Sequence, residues 1–331
     1  MESILNIFSS ELIHAIGWTI IHSLWQASII AILMSVALNV IKNNKTQLRY
    51  NIAFFAIFMV LVSALCTFIY LIGKYDPVVS TSGVYIFEGM SNADPSSLGG
   101  IHLILEKYLP MITTVWFAGV LFFLVKMLGG FWYIQKLKQS GINSVPGHYL
   151  SRLKVLKKKL KVSKPVRLLE SARIKTPMVI GYLKPVILFP IGTIMHLSPQ
   201  QVEAILLHEL AHVKRNDFLQ NIIQTFIEIL FYYHPVVWYI SASIRAERES
   251  CCDEVAIKLS GNNIEYAKAL IEIESSGNPA LAMHFGGTKH NFYNRIQRIL
   301  NMPQNRSNTR EKFFATLMFL LSIGIFAVAN N

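Results

Sequence analysis

Ser198-Pro199-Gln200-Gln201-Val202-Glu203-Ala204-Ile205-Leu206-Leu207-His208-Glu209-Leu210-Ala211-His212 carries both a helix start and a metal-binding pattern. Ser198 fits the N-cap, Pro199 the first helical position, and Gln201 the third position after the cap. Together they form a capping box. The spacing predicts a helix running to about Arg215. On such a helix His208 and His212, four residues apart, share a face, and both imidazoles can reach one metal ion. Glu209 projects beside them, positioned to take a proton from water. Two histidines leave a tetrahedral ion short of one protein ligand, with water in the remaining place. The plain alternative is a helix with two ordinary histidines. The capped, amphipathic setting favours the metal.

A third ligand must come from elsewhere. The densest polar cluster downstream is Arg245-Ala246-Glu247-Arg248-Glu249-Ser250-Cys251-Cys252-Asp253, on a predicted helix after an apolar run. Glu249 and Asp253 are four apart and share a face. Glu249 is a candidate ligand, and Asp253 a candidate to hold a ligating histidine and fix its tautomer. Glu247 competes as ligand but lacks an aspartate four residues on. A solvated charged face is the bland alternative. Adjacent Cys251 and Cys252 chelate one ion poorly and read as buried packing. No CxxC occurs, and the three cysteines fit reduced thiols better than a disulfide framework. His234, before Pro235, reads as structural. His284 and His290 are candidates to polarise a substrate carbonyl, with nothing to choose between them.

Upstream, Val166–Glu170 alternates as a strand. Thr176–Pro190 reads as a hairpin turning at Gly181-Tyr182, with prolines at its edges. Val179, Ile180 and Gly181 are candidate substrate-binding residues, offering main-chain bonds to an extended peptide. Arg152–Val162 reads as a basic helix with an apolar face, lying near a membrane.

The rest of the chain is apolar. It is 53% hydrophobic and 15% charged, with mean hydropathy +0.41; soluble domains carry about 25% charge. Four stretches are long enough to span a bilayer: about Ile13–Ile41, Asn51–Gly73, Pro110–Tyr133 and Phe313–Ala329. The first is too long, and lacks the basic start, for a cleavable signal peptide. Leu219–Ile244 is apolar enough to resemble a fifth span, but Glu228 and His234-Pro235 interrupt it. It is read as a helix pair kinked at Pro235 and packed in the polar domain or at the membrane surface.

Charge sets the expected orientation. The net charge is +12, and ten Lys or Arg with no acid lie between Lys136 and Arg167. That run follows a span, so it reads as a face against anionic lipid; no nucleic-acid motif accompanies it. Loop Lys42–Tyr50 is basic and loop Lys74–Leu109 is acidic. The N-terminus is then outside and residues 135–311 are cytoplasmic. The expected fold is a predominantly α polytopic membrane protein with about four transmembrane helices and an inserted cytoplasmic α+β zincin domain. Its parts are 1–134, a three-helix membrane region with an extracytoplasmic loop at 74–109; 135–311, the metallopeptidase domain; and 312–331, the fourth span. Within the first span, His22 and Gln26 share a face and read as interhelical hydrogen bonding.

Four segments resemble the membrane metallopeptidases typified by the BlaR/MecR beta-lactam sensor-transducers. They are Trp18–Gln26, the Pro177…Gly181…Pro185…Pro190 hairpin, His208–His212 with Glu249 and Asp253, and Asn294–Leu300. The resemblance covers nearly the whole chain. It implies a gluzincin-type site, with His208, His212 and Glu249 on Zn2+, Glu209 as catalytic base and Asp253 behind a ligand. It also implies a multi-pass protein of the bacterial cytoplasmic membrane that cleaves a cytoplasmic regulator, such as a transcriptional repressor, or itself. The expected partners are a protein substrate and the lipid bilayer, without direct nucleic-acid contact. The chain ends at Ala329-Asn330-Asn331 with no sensor, so beta-lactam recognition is not carried over. The expectation is truncation, or sensing through the outer loop, the spans or a partner. Two other readings remain. An HtpX-like housekeeping membrane protease shares the ligand pattern, and a non-enzymatic signalling scaffold would keep a vestigial zinc site.

Overall fold

The computed structural model describes residues 9–74, 98–138, 141–276 and 288–301. Among these, three helices are long and apolar enough to cross a membrane. They are α1 (Ser10–Val40), α2 (Thr46–Lys74) and α3 (Leu98–Leu137). Ser9 caps α1 by accepting the Leu12 N–H. α3 starts well before the expected span and carries Pro110 inside it. The fourth expected span lies outside the described residues.

Helices α1 and α2 pack through small side chains, with Ala27, Ala31, Ala53, Ala56 and Ala64 in one buried cluster. Lipid tails give no hydrophobic advantage to helix pairing, so close backbone approach and polar links carry it. Gln26 supplies such a link, donating to Thr67 Oγ1 of α2. The interhelical reading thus holds for Gln26, whereas His22 accepts from Trp25 of its own helix.

The polar part begins with strand β1 (Ile142–Ser144) and helix α4 (Gly147–Leu160), followed by β2 (Arg167–Ser171), β3 (Met178–Ile180) and β4 (Val186–Pro190). The sheet order is β1-β2-β4-β3. β3 and β4 form the expected hairpin, whose turn needs the positive φ of Gly181, +95°. β2 lies parallel to β4, a pairing that local pattern does not reveal. Leu153, Leu156 and Leu160 of α4 pack into the core beside the metal-motif helix, so its apolar face meets protein rather than lipid. A single turn, α5 (Thr193–His196), leads to α6 (Pro199–Arg215). Both capping-box bonds of Ser198 and Gln201 are present. α6 is the central rod of the polar core: Ile205, Leu206, Leu207 and Leu210 are all nearly or fully buried.

Asn216, at φ +61°, ends α6 and turns the chain into α7 (Asp217–Leu230). After a break at 231–234 comes α8 (Pro235–Ser260), then α9 (Asn263–Ser276) and α10 (Thr288–Ile299). The helix pair is as expected, but its packing is not. Ile227, Phe231, Val236, Val237, Ile240 and Ile244 share the buried cluster of α1 and α2. The turn docks deep in the apolar bundle. His234 faces the Ser23 carbonyl at 3.3 Å, Tyr233 and Ser23 hydroxyls are 2.7 Å apart, and Trp116 donates to the Leu230 carbonyl. Gly119 leaves room there for Tyr232, whose ring would collide with a Cβ at that position. At 14 residues, α7 is about 21 Å long, short of a bilayer core. Both legs return to the same end of α2: Arg215 bonds Gln47, and Arg49 pairs with Glu247. The hairpin therefore enters and leaves the bundle on one side.

Candidate metal centre

Helix α6 carries His208, Glu209 and His212, and α8 carries Glu249 and Asp253. Their convergence depends on the α7–α8 hairpin, which folds α8 back across α6. The His208 and His212 Nε2 atoms are 3.2 Å apart. Glu249 Oε2 lies 3.4 Å from His208 Nε2, and its Oε1 lies 3.8 Å from His212 Nε2. Ligand atoms about 2.1 Å from a tetrahedral zinc ion sit about 3.4 Å from one another. The donor set therefore fits such an ion in spacing and chemistry. Glu247, the competing carboxylate, points away and pairs with Arg49.

Both imidazoles are aimed by groups behind them. His212 Nδ1 lies 2.7 Å from Asp217 Oδ2. A carboxylate can only accept, so Nδ1 carries the proton and Nε2 presents its lone pair to the centre. His208 Nδ1 meets Tyr266 Oη at 2.8 Å and Asp253 Oδ1 at 3.2 Å, while the Tyr266 hydroxyl donates to Asp253. Arg295 of α10 clamps Asp253 through Nε and Nη2, at 2.8 and 2.6 Å, and its Nη1 reaches Glu249 at 3.4 Å.

Electrostatics follow from this packing. Burial would pull His208 down, but hydrogen bonds to Asp253 and Glu249 outweigh it and push the imidazole up to about 9. Burial acts against Asp253 too, yet the Arg295 charge and the His208 bond hold its carboxyl well below the usual range. Glu209 has no such counterweight of equal size. Burial pushes its carboxyl up, and the two imidazoles offset this only in part.

The centre opens into a cleft of about 410 Å³. Val179 and Gly181 line it, as the sequence suggests, together with the segment Thr176–Met178 and Tyr182. Ile180 does not. Strand alternation turns its side chain into a core with Leu137, Val186 and Leu188. β3 is an edge strand of the described sheet, so one of its sides has no strand partner there.

A model of the BlaR1 peptidase M56 family matches residues 18–299. The chain belongs to this family. Among curated M56 relatives, the regulatory protein BlaR1 of Bacillus licheniformis is 27% identical over 63% of this chain and 35% of its own length. The methicillin resistance mecR1 protein of Staphylococcus aureus (strain Mu50) is 28% identical over 60% of this chain and 36% of its own. The BlaR1 of Staphylococcus aureus is 22% identical over 64% and 37%. The chain thus spans about a third of the length of these M56 proteins.

Three residues at the centre escape sequence reading. Asp217 follows the helix end and reads as part of a loop. Tyr266 arrives from α9 with no local signal. Arg295 sits in the Asn294–Leu300 segment, which the family resemblance singles out without a role. His234 is an N-cap, its Nδ1 accepting from the Val236 N–H, as the structural reading expects. Cys251 and Cys252 are buried. His284 and the His290 side chain lie outside the described residues.

Proposed function

We propose that this M56 protein is a membrane-embedded zinc endopeptidase that acts in transmembrane signalling by cleaving a cytoplasmic regulator, repressor-like, or itself. The observation that carries this reading is the meeting of His208, His212 and Glu249 donors at ion-binding spacing, with Glu209 alongside in an open cleft. The regulatory names of the M56 relatives support the signalling part. The N-terminus lies outside and the metal-centre domain, 135–311, is cytoplasmic, as loop charge favours.

When bound, zinc supplies a Lewis acid that polarises a peptide carbonyl and makes water more acidic. The protein's own groups do the rest. Asp217 and Asp253 hold the imidazole tautomers, Asp253 with the help of Tyr266. Glu209 takes the proton from the attacking water and returns it to the leaving amine. Its raised carboxyl makes it a stronger base than an exposed glutamate. The edge of β3 holds the substrate extended, through main-chain hydrogen bonds that demand little of its sequence.

The test compares protein N-termini in host cells carrying wild type or Glu209→Gln at equal abundance, with metal content measured on both purified proteins. We expect termini that require Glu209, a rate loss of about 10²–10⁴ in vitro, and unchanged zinc. Equal termini in both strains under cell-envelope stress, with full signalling by the variant, would favour a scaffold.

A further inference from the structure

The cleft sits at the ends of the apolar helices. The last turn of α3 packs on the cleft-lining strand: Leu137 shares a buried cluster with Ile180 and Val186, and Met178 and Phe218 pack against it. Lys138, the next residue, brings its ammonium within 2.8 Å of a Cβ built on Gly181. At the start of α2, Tyr50 donates to Gln220, and Arg215 stacks on its ring. Arg215 in turn pairs with Asp217, which holds His212. Only two side chains therefore separate a metal-centre imidazole from a span helix.

The rim has the character of a bilayer interface. Trp132 and Tyr133 stand exposed near the end of α3, with Lys136 over the Trp132 ring. Aromatic and basic residues favour that zone. On one side the cleft is lined by Phe218 and Asn221 of α7. Beside them Leu219, Ile222, Ile223 and Phe226 form an outward apolar face, each 38–46% exposed. On another side Tyr182 lines the cleft, and Leu183 on the same turn is 75% exposed. Apolar side chains thus flank the mouth and continue onto the surface of the bundle. Apolar surface of this kind marks a membrane or a protein contact, and its continuity with the apolar helices favours lipid.

We propose that the cleft opens at the membrane surface and takes juxtamembrane peptide segments, those within about ten residues of a membrane anchor on the substrate, which favours a membrane-anchored regulator or the chain itself over a freely soluble repressor. This rests on the peptidase reading above. Anchoring confines a segment to the layer where the mouth lies and raises its effective concentration there. A main-chain-reading edge strand needs this help, because it offers little side-chain selectivity of its own.

Two measurements test it, both on the full chain in nanodiscs. In the first, a bimane label at Leu183→Cys in a Cys66→Ser background is exposed to brominated phospholipid, with Lys258→Cys as the distant control. We expect quenching at position 183 and none at 258; no quenching at 183 overturns the proposal. In the second, a mixture of eight-residue peptides is offered free, or joined to a palmitoyl anchor by three or by twenty Gly/Ser residues. We expect cleavage at least tenfold faster for the short tether than for free peptide, with the long tether between. Equal rates for free and short-tethered peptide overturn the proposal. Quenching at 183 with no Glu209-dependent cleavage in any arm would overturn the peptidase reading and the substrate class with it, leaving the position of the mouth.

Discussion

At the residue scale, the centre is built from pairs in which one group fixes the state of another. Asp217 is the least expected of these. It stands one residue past an αL turn at Asn216 and holds His212 at 2.7 Å. Groups behind metal ligands typically contribute 10–100-fold in affinity. We expect Asp217→Ala to weaken zinc binding by that factor in a competitive chelator titration, with the fold retained by circular dichroism. An unchanged affinity would leave Asp217 a partner of Arg215 and Cys252, without a role in zinc binding. A second prediction concerns pH. In the metal-free protein His208 titrates at about 9, against about 6.5 when unfolded. The folded state holds that proton more tightly. The resulting stability is complete below about pH 6.5 and is lost as pH rises through 9. The Tm of metal-stripped protein should therefore fall between pH 6.5 and 9. Saturating zinc should remove the trend, because the neutral imidazole is the ligand form. A flat Tm in the stripped protein would mean that His208 and Asp253 do not form an ionised pair.

At the element scale, α6 was legible almost to the residue. Its cap, its period and its stop at Arg215 are all local properties. The hairpin Thr176–Pro190 was legible for the same reason. The α7–α8 pair was legible as two helices but not in its surroundings. An amphipathic helix with an apolar face can cover a protein core or enter a bundle, and periodicity is the same for both. The docking of its turn explains the Trp18–Gln26 segment, since Ser23 receives both Tyr233 and His234. His234 also caps α8. We expect His234→Ala to cost about 1–2 kcal/mol, from a lost cap and a lost buried hydrogen bond to the Ser23 carbonyl. Thermal unfolding in detergent measures this, and a cost near zero would show that apolar packing alone seats the hairpin.

At the scale of the whole molecule, polar bonds tie the metal-centre domain to the spans. Arg49 joins Glu247 of α8 to the Leu38 and Ile41 carbonyls at the end of α1. Both partners of the pair are largely buried. Removing one partner of a buried pair typically costs about 3–5 kcal/mol, because the other stays buried and uncompensated. Arg49→Ala should therefore destabilise strongly, and adding Glu247→Ala should recover part of the loss. If the two single losses simply add in the double variant, the pair is not coupled.

The sequence by itself determined the helix of the metal motif, the spacing of its two histidines and glutamate, and three apolar helices able to span a bilayer. These rest on caps, periodicity and runs of apolar side chains, all of which act within a few residues. The preference for Glu249 over Glu247 rested on Asp253 four residues on, and the structure alone brought Glu249 to the histidines. Asp217, Tyr266 and Arg295, the parallel pairing of β2 with β4, and the seat of the α7–α8 turn on Ser23 were decided by tertiary structure. Apart from Asp217, which meets His212 five residues away across the turn that ends α6, each joins residues far apart in chain order, and such contacts depend on which faces find each other. No local pattern encodes that.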